Sequence, residues 1–328
     1  MIHFETRANK PRVFKITERL IAEAKARNKQ DVLTSLGDSW SDLSLLDNAT
    51  GLVTAIDLLS DPKFPKIALT QAAPNLRWIH VTGAGIEPLL PLDWLPPQIT
   101  LTNNSGVHAE KMRESALMMF LMLQGRLPQI ISNQRKSHWQ QVFSPTIRGR
   151  VALIIGVGDM GGAAATAARD LGMRVLGVRR SGAAHPAVHA MYRPEEIDTI
   201  LPQVDFVVSA VPLTTDTTTL FDRRRFDLMK KGAGFINIGR AGSVDYDALI
   251  NALNARSLSG AVIDVYDQEP LPATSPLWQT DNLIMLPHVS SDDEDEYLPK
   301  TLDLVFENAR RLDQNRSLLN VVDRVRGY

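Results

Sequence analysis

The fold class is decided by residues 151–162, whose sequence is VALIIGVGDMGG. The first five residues are apolar and mostly β-branched, which is typical of a strand buried on both faces of a parallel sheet. The glycines after them have the spacing G-x-G-x-x-G, and the alanine-rich stretch Ala163–Leu171 predicts a helix that stops at Gly172. A buried strand, a glycine turn and a helix in this order predict a dinucleotide site.

Each glycine of the turn has a separate physical task. Gly156 permits the tight turn, Gly158 lets the backbone approach a pyrophosphate, and Gly161 lets the helix pack closely on the strand. Asp159 and Met160 lie at the helix N-terminus, where free N–H groups and a partial positive charge favour phosphate. We expect these five residues to contact the cofactor.

Strands and helices continue to alternate after this unit. The predicted strands cover residues 151–155, 174–178, 205–208, 235–238, 261–265 and 283–286. Helical stretches near residues 226–230 and 246–255 separate some of them. Strands that alternate with helices at this spacing predict an α/β fold, a doubly wound parallel sheet of the Rossmann type.

The remaining sequence predicts a second, smaller α/β domain. Residues 18–28 are typical of a helix and residues 78–81 of a strand, while two long helices, near 113–125 and 296–312, lie outside the alternation. We expect residues 1–103 and 290–328 to form a discontinuous substrate-binding domain. The dinucleotide-binding domain, residues 104–289, is then inserted between its two parts.

Composition excludes several classes of function. Of the 328 residues, 44% are hydrophobic and 22% are charged, and the net charge is −1, so no strong field predicts a nucleic acid or an anionic membrane as a partner. None of the residues is cysteine, which excludes disulfides, thiolate catalysis and cysteine-ligated metals. Residues 1–10 do not have the pattern of a signal peptide. The sequence predicts a soluble cytoplasmic protein with a small-molecule partner and no metal.

The end of the second predicted strand bears on the choice of dinucleotide. Sites that bind NAD place an acidic residue about 20 positions after the turn to accept the ribose hydroxyls. Here the strand ends instead in Arg179, Arg180 and Ser181. Two guanidinium groups suit a 2′-phosphate, which they can bind with paired hydrogen bonds. The sequence therefore predicts NADP, with NAD as the open alternative.

Three ionisable residues follow later strands, at the sheet edge where ligands of this fold bind. Arg240 can bind a carboxylate and polarise a keto oxygen through its planar fork. His288 can give a proton to the developing alkoxide, and Glu269 can bond the far ring nitrogen, which fixes the tautomer and favours the imidazolium. These residues predict hydride transfer to a 2-keto acid, with the reverse reaction oxidising a 2-hydroxy acid.

At these residues the sequence resembles the D-isomer-specific 2-hydroxyacid dehydrogenases over almost its whole length. The shared motifs are the glycine turn, Ser209–Thr214, Gly239–Gly242, Asp264–Pro270 and Pro287-His288. The arginine pair and Trp139 look most like the glyoxylate/hydroxypyruvate reductase branch. The resemblance implies a flavodoxin-like substrate domain, a small 2-keto acid as substrate and a homodimer.

The resemblance also implies further site residues. The loop Thr82-Gly83-Ala84-Gly85 matches the family loop whose backbone N–H groups bind the substrate carboxylate. Trp139 occupies the position of a tryptophan that closes the partner's active site, or else fills a dimer interface. The residues implied to line the cofactor are Val211, Pro212, Thr217, Ile238, Gly239 and Asp264.

Two alternatives stay open. Members of the family with the same fold act on other substrates, such as phosphoglycerate or phosphite. Non-enzymatic proteins that sense dinucleotides are also built on this scaffold, and fold alone does not separate the two classes.

Overall fold

The computed structural model of the chain describes residues 1–6, 11–39, 41–61, 73–324 and 327, and the structural statements below concern these residues. The chain divides into two compact units, residues 1–108 with 293–328 and residues 109–292. The boundaries expected from sequence, after residues 103 and 289, lie a few residues earlier, and the assignment of domains to substrate and dinucleotide stays a prediction.

The elements are numbered in chain order. The strands are β1 Ile2–Glu5, β2 Thr34–Gly37, β3 Gly51–Thr54, β4 Trp78–Val81, β5 Thr100–Thr102, β6 Val151–Ile155, β7 Arg174–Val178, β8 Ala190–Tyr192, β9 Phe206–Ser209, β10 Ala233–Asn237, β11 Leu258–Ile263 and β12 Leu283–Met285. The α-helices are α1 Glu18–Asn28, α2 Ile56–Leu59, α3 Ala109–Gln124, α4 Leu127–Arg135, α5 Asp159–Asp170, α6 Ile197–Ile200, α7 Arg223–Leu228, α8 Tyr246–Asn254 and α9 Tyr297–Asp313.

The first unit contains a five-stranded parallel sheet in the order β2-β1-β3-β4-β5. This is the flavodoxin-like order, in which the ligand site lies at the switch point between β1 and β3. Strands β1, β3 and β4 are buried along their whole length, and α1 packs against α9. The Thr17 side chain accepts a hydrogen bond from Leu20 N and caps α1.

The second unit contains a seven-stranded parallel sheet in the order β12-β11-β10-β9-β6-β7-β8. Six of these strands have the order of the dinucleotide-binding fold, with β12 added at one edge. Helices α3 and α5 pack together on one face, where Phe120 lies edge-on to Phe206. Phe221, Phe226 and Phe235 form an aromatic cluster on the other face. The α/β fold class expected from the sequence is confirmed in both units.

Predicted element bounds were shifted by a few residues in several places. Helix α5 begins at Asp159 rather than Ala163, because the glycine turn itself starts the helix. Strand β11 runs from Leu258 to Ile263 and ends before the predicted 265. In the first unit the sequence analysis missed β1, β2, β3 and β5, which are only three or four residues long. No described helix is long and apolar enough to cross a membrane.

The sheet of the first unit contains a fully buried histidine whose pKa is strongly shifted. His80, on β4, is buried, and its Nδ1 lies 3.0 Å from Thr102 Oγ1. Its Nε2 has no hydrogen-bond partner in the described part of the chain. Burial lowers the pKa of His80 to about 4, and the nearby Asn104 side chain opposes part of that effect. The imidazole is therefore neutral in the folded unit at neutral pH.

We predict that this burial makes the first unit sensitive to acid. Because the folded pKa of His80 is lowered, its contribution to stability is complete above pH 6.5 and is lost as pH falls towards 4. The difference corresponds to about 3 kcal/mol of unfolding free energy. Urea unfolding followed by circular dichroism between pH 7 and pH 4 should show that loss, and a His80→Asn variant should show a flatter profile.

The control is His138→Gln, which changes an exposed histidine. Its pH profile should match that of the unmodified protein. A His80→Asn profile as steep as the parent's would show that other groups cause the acid sensitivity.

Candidate active site

At the glycine turn of the second unit, the backbones of β6, α5 and the residue after β9 approach one another closely. Gly156 has φ +92°, and a Cβ there would lie 2.6 Å from Ala210 O. A Cβ on Gly161 would lie 2.0 Å from Gly156 O, far inside contact distance. Both positions therefore exclude any side chain. The structure explains two of the three glycines by backbone packing alone.

The third glycine faces open space. A Cβ on Gly158 would meet no described atom within 4 Å, and no side chain caps the helix that starts at Asp159. The N-terminus of α5, at Asp159 and Met160, therefore offers its N–H groups to a ligand. An uncapped helix end beside an open glycine turn fits the pyrophosphate of a nicotinamide dinucleotide.

The arginine pair follows β7, the neighbour of β6. Arg179 is half-buried, and its N–H donates to Tyr192 O at 3.0 Å, whereas Arg180 and Ser181 are exposed. Arg180 Nη2 lies 3.1 Å from Oδ2 of Asp216, on the loop after β9. An exposed ion pair of this kind is weak. Arg180 is thus held near this edge of the sheet by a contact that a phosphate could replace.

Gly162, next to the turn, lies against His185, a residue that the sequence analysis did not single out. A Cβ there would lie 2.9 Å from Nε2 of His185. His185 belongs to the segment that follows the arginine pair, and its Nδ1 accepts the N–H of Ala187 at 3.2 Å. Contact between Gly162 and His185 therefore fixes this segment against the first turns of α5.

The remaining residues implied to line the cofactor lie after β9 and β10. Val211 and Ile238 are buried, and a Cβ on Gly239 would lie 2.7 Å from Val211 O, so the two strand ends meet closely. Thr217 Oγ1 donates to Pro212 O at 2.6 Å and accepts the Thr214 N–H at 2.8 Å. Within the described chain, Thr217 thus shapes the loop that contains Pro212.

The predicted acid and its partner are in contact. Nδ1 of His288 lies 2.7 Å from Oε2 of Glu269, and the imidazole is about half-exposed. Glu269 Oε1 accepts the N–H of Tyr266 at 3.0 Å, and the Tyr266 hydroxyl donates to Leu286 O at 2.7 Å. Since a carboxylate accepts, Nδ1 holds the proton and Nε2 is the atom available to a substrate.

Asp264 holds the backbone after His288. Its carboxylate accepts the N–H of Val289 at 3.0 Å and the N–H of Ser290 at 3.2 Å, together with the Ser290 hydroxyl. His288 itself has φ +54°, a left-handed conformation that few residues other than glycine adopt. Burial raises the pKa of Asp264, and the hydrogen bonds from Ser290 and Val289 oppose that rise. The sequence did not reveal this support of the loop that contains His288.

Arg240 follows β10 and is half-buried. Its Nη1 donates to Gly239 O at 2.9 Å, and its carbonyl accepts the Ser243 hydroxyl at 2.7 Å. Its backbone is therefore fixed by Ser243, on the short 3₁₀ turn Ala241–Ser243. Arg240 follows β10, Glu269 follows β11 and His288 follows β12. All three residues therefore lie after the carboxyl ends of strands of one sheet.

The loop of residues 82–85 lies in the first unit, after β4. The carbonyls of Thr82, Gly83 and Ala84 all accept hydrogen bonds. Asn104 donates its Nδ2 to Thr82 O at 3.1 Å and its backbone N–H to Gly83 O at 3.0 Å. Asn103 Nδ2 donates to Ala84 O at 2.7 Å, and the Tyr297 hydroxyl donates to Thr82 O.

The backbone N–H groups of the same loop differ from its carbonyls. Within the described chain, no hydrogen bond is recorded for the N–H groups of Gly83, Ala84 and Gly85. Because the carbonyls are fixed, the peptide planes are fixed and three donors remain for an anion. Asn103, Asn104 and Tyr297 are the residues that the sequence analysis missed, since they are remote from the loop in sequence.

Trp139 lies in the segment between α4 and β6. It is 93% exposed, and Phe143 nearby in sequence is 84% exposed. Large apolar side chains exposed to this extent are typical of a surface that meets another molecule. The structure of one chain therefore places Trp139 away from any packed core.

Comparison with known proteins agrees with this geometry. Residues 117–290 match the sequence model of the D-isomer specific 2-hydroxyacid dehydrogenase, NAD binding domain. A glyoxylate reductase of Korarchaeum cryptofilum is 27% identical over 91% of this chain and 92% of its own length. A glyoxylate/hydroxypyruvate reductase B of Enterobacter sp. strain 638 is 30% identical over 76% of this chain and 78% of its own length.

Solved structures give the same result. A D-isomer specific 2-hydroxyacid dehydrogenase of Xanthobacter autotrophicus Py2, in complex with NADPH and MES, superposes with a TM-score of 0.82 at 27% identity, over 100% of this chain and 99% of that one. A family protein of Aeromonas salmonicida superposes with a TM-score of 0.79 at 29% identity, over 98% and 99%. The chain therefore belongs to the D-isomer specific 2-hydroxyacid dehydrogenases, a family of NAD(P)-dependent enzymes.

Proposed function

We propose that this chain reduces a small 2-keto acid, of the glyoxylate or hydroxypyruvate type, to the D-2-hydroxy acid with NADPH. The observation that carries the proposal is the 2.7 Å contact between His288 Nδ1 and Glu269 Oε2, at the carboxyl edge of the sheet that also holds the open glycine turn. The names of the Korarchaeum and Enterobacter relatives support the substrate class.

The proton chemistry is assigned to His288. Glu269 stabilises the imidazolium and keeps Nε2 free to donate, so Nε2 protonates the keto oxygen as negative charge develops there. Arg240 binds the substrate carboxylate and polarises the keto group. The N–H groups of Gly83, Ala84 and Gly85 supply further donors to that carboxylate. The hydride itself comes from the nicotinamide of the bound dinucleotide.

Preference for NADP is assigned to Arg179 and Arg180. The 2′-phosphate carries two charges near neutral pH, and two guanidinium groups after β7 can bind it in a bidentate manner. The pyrophosphate is assigned to Gly156, Gly158 and the first turn of α5. The Xanthobacter relative that was solved with NADPH supports this preference.

A homodimer is the proposed assembly. Trp139 and Phe143 are almost fully exposed, and Met118, Leu121 and Ile130 are exposed large apolar residues on α3 and α4. Burial of such side chains against a second copy would remove apolar surface from water.

We predict that His288→Gln lowers kcat for glyoxylate by about 10²–10⁴-fold, the usual contribution of a general acid. NADPH affinity should stay within about twofold of the parent by fluorescence titration, because His288 lies outside the glycine turn. Glu269→Gln keeps a hydrogen-bonding group at the same site but removes the charge, so its kcat should fall less. Near-parental turnover of His288→Gln would exclude it as the acid.

We predict that replacing both arginines, as Arg179→Gln with Arg180→Gln, lowers the ratio of kcat/KM for NADPH to that for NADH by about 10–100-fold, since charge-assisted hydrogen bonds to the phosphate are lost. The matched control is Arg174→Gln, which changes an exposed arginine at the opposite end of the same strand. A parental preference for NADH, or an unchanged ratio in the double variant, would contradict the assignment.

We predict that Tyr297→Phe weakens substrate binding by removing one donor to Thr82 O. KM for the keto acid should rise about fivefold, the effect of one ordinary hydrogen bond, while kcat and NADPH affinity change little. Tyr192→Phe, on β8 of the other unit, serves as the control. If KM is unchanged in Tyr297→Phe while the protein remains folded, the hydroxyl does not position the loop.

A further inference from the structure

A buried carboxylate lies at the switch point of the first sheet. Glu5 is the last residue of β1, and Thr54 is the last residue of the neighbouring β3. In a sheet of order β2-β1-β3-β4-β5, the crevice outside these two strand ends is where a ligand binds. The sequence analysis assigned no role to Glu5.

The two carboxylate oxygens of Glu5 differ in their hydrogen bonds to the described residues. Oε2 accepts the backbone N–H of Ser39 at 3.2 Å and also the Ser39 hydroxyl, while His3 Nε2 lies 3.8 Å from it. Oε1 is buried and has no hydrogen-bond partner among the described residues. A buried acceptor without a donor costs about 1–3 kcal/mol, so the arrangement favours a ligand that brings a donor.

Glu5 lines a small pocket within the first unit. The lining also includes Thr6, Phe14, Ile16, Thr54 and Thr82. Thr82 is the first residue of the loop whose free N–H groups are assigned to the substrate carboxylate. The pocket therefore adjoins the loop to which the substrate carboxylate is assigned.

We propose that the C3 substituent of a substrate bound by this loop enters the pocket, and that Glu5 selects it. Its Oε1 accepts a hydrogen bond from a C3 hydroxyl, as in hydroxypyruvate, and its negative charge disfavours a substituent that is itself anionic. A methyl group leaves Oε1 without a donor. This inference rests on the proposed function and narrows it to 2-keto acids with a hydrogen-bond donor on C3 or with no C3 at all.

The first experiment uses the unmodified protein. We would measure kcat/KM with NADPH for glyoxylate, hydroxypyruvate, pyruvate and oxaloacetate. Hydroxypyruvate should exceed pyruvate and oxaloacetate each by about tenfold or more, because a site built to bind a hydroxyl discriminates strongly against its absence. A ratio below about three for either pair overturns the proposal, whatever any variant does.

The second experiment uses Glu5→Gln. The two Ser39 donors require the amide oxygen at the Oε2 position, so the NH₂ group takes the place of Oε1 and turns an acceptor into a donor. The kcat/KM ratio of oxaloacetate to glyoxylate should then rise about tenfold, because the amide can donate to the second carboxylate. Glyoxylate, which has no C3, is the reference substrate in that ratio.

The control is Glu18→Gln, which removes an exposed carboxylate at the start of α1 and should change no ratio. A Glu5→Gln variant that folds and keeps the parental ratio of oxaloacetate to glyoxylate overturns the proposal. If the variant does not fold, the substrate panel of the unmodified protein decides alone. Lack of turnover with all four keto acids contradicts the proposed function itself. An unexpected order of their kcat/KM values contradicts only the role of Glu5.

Discussion

The close approach of α5 to β6 is the constraint on which the second unit depends. At Gly161 a Cβ would lie 2.0 Å from Gly156 O, and at Gly156 a Cβ would lie 2.6 Å from Ala210 O, so both positions require glycine. Because the helix starts this close to the strand, its first N–H groups open at the carboxyl edge of the sheet. The loops after β9, β10, β11 and β12 begin at the same edge of the sheet. The glycine turn and the predicted catalytic side chains therefore lie at one edge of one sheet.

At this edge of the sheet, two carboxylates with different roles maintain the conformation of His288. Asp264 binds the backbone after the histidine through Val289 and Ser290, and Glu269 binds the imidazole through Nδ1. The left-handed φ of +54° at His288 is unfavourable by itself, so the neighbouring hydrogen bonds must outweigh it. Asp264, implied by resemblance to line the cofactor, therefore has a structural role that is visible in the chain alone.

The sequence predicted the second unit far better than the first. Six of the seven strands of the second sheet were predicted as apolar runs that alternate with helices, and only the three-residue strand β8 was missed. In the first unit, β1 is four residues long, contains the buried polar residues His3 and Glu5, and was missed. Polar residues in a short strand hide the apolar pattern. The motif residues Arg240, Glu269 and His288 were found because they follow predictable strands.

The binding geometry of the loop at residues 82–85 depends on residues outside its sequence motif. Small residues in the sequence indicate that a backbone can approach a ligand, but they do not say which way the peptide planes face. That direction is set by the groups that bind the carbonyls, and Asn104 and Tyr297 are brought there only by the fold. An anion site made of N–H groups is thus specified as much by the donors that occupy its carbonyls as by its own residues. The same reasoning makes Glu5 notable, because Ser39 occupies one of its oxygens and leaves the other oxygen available.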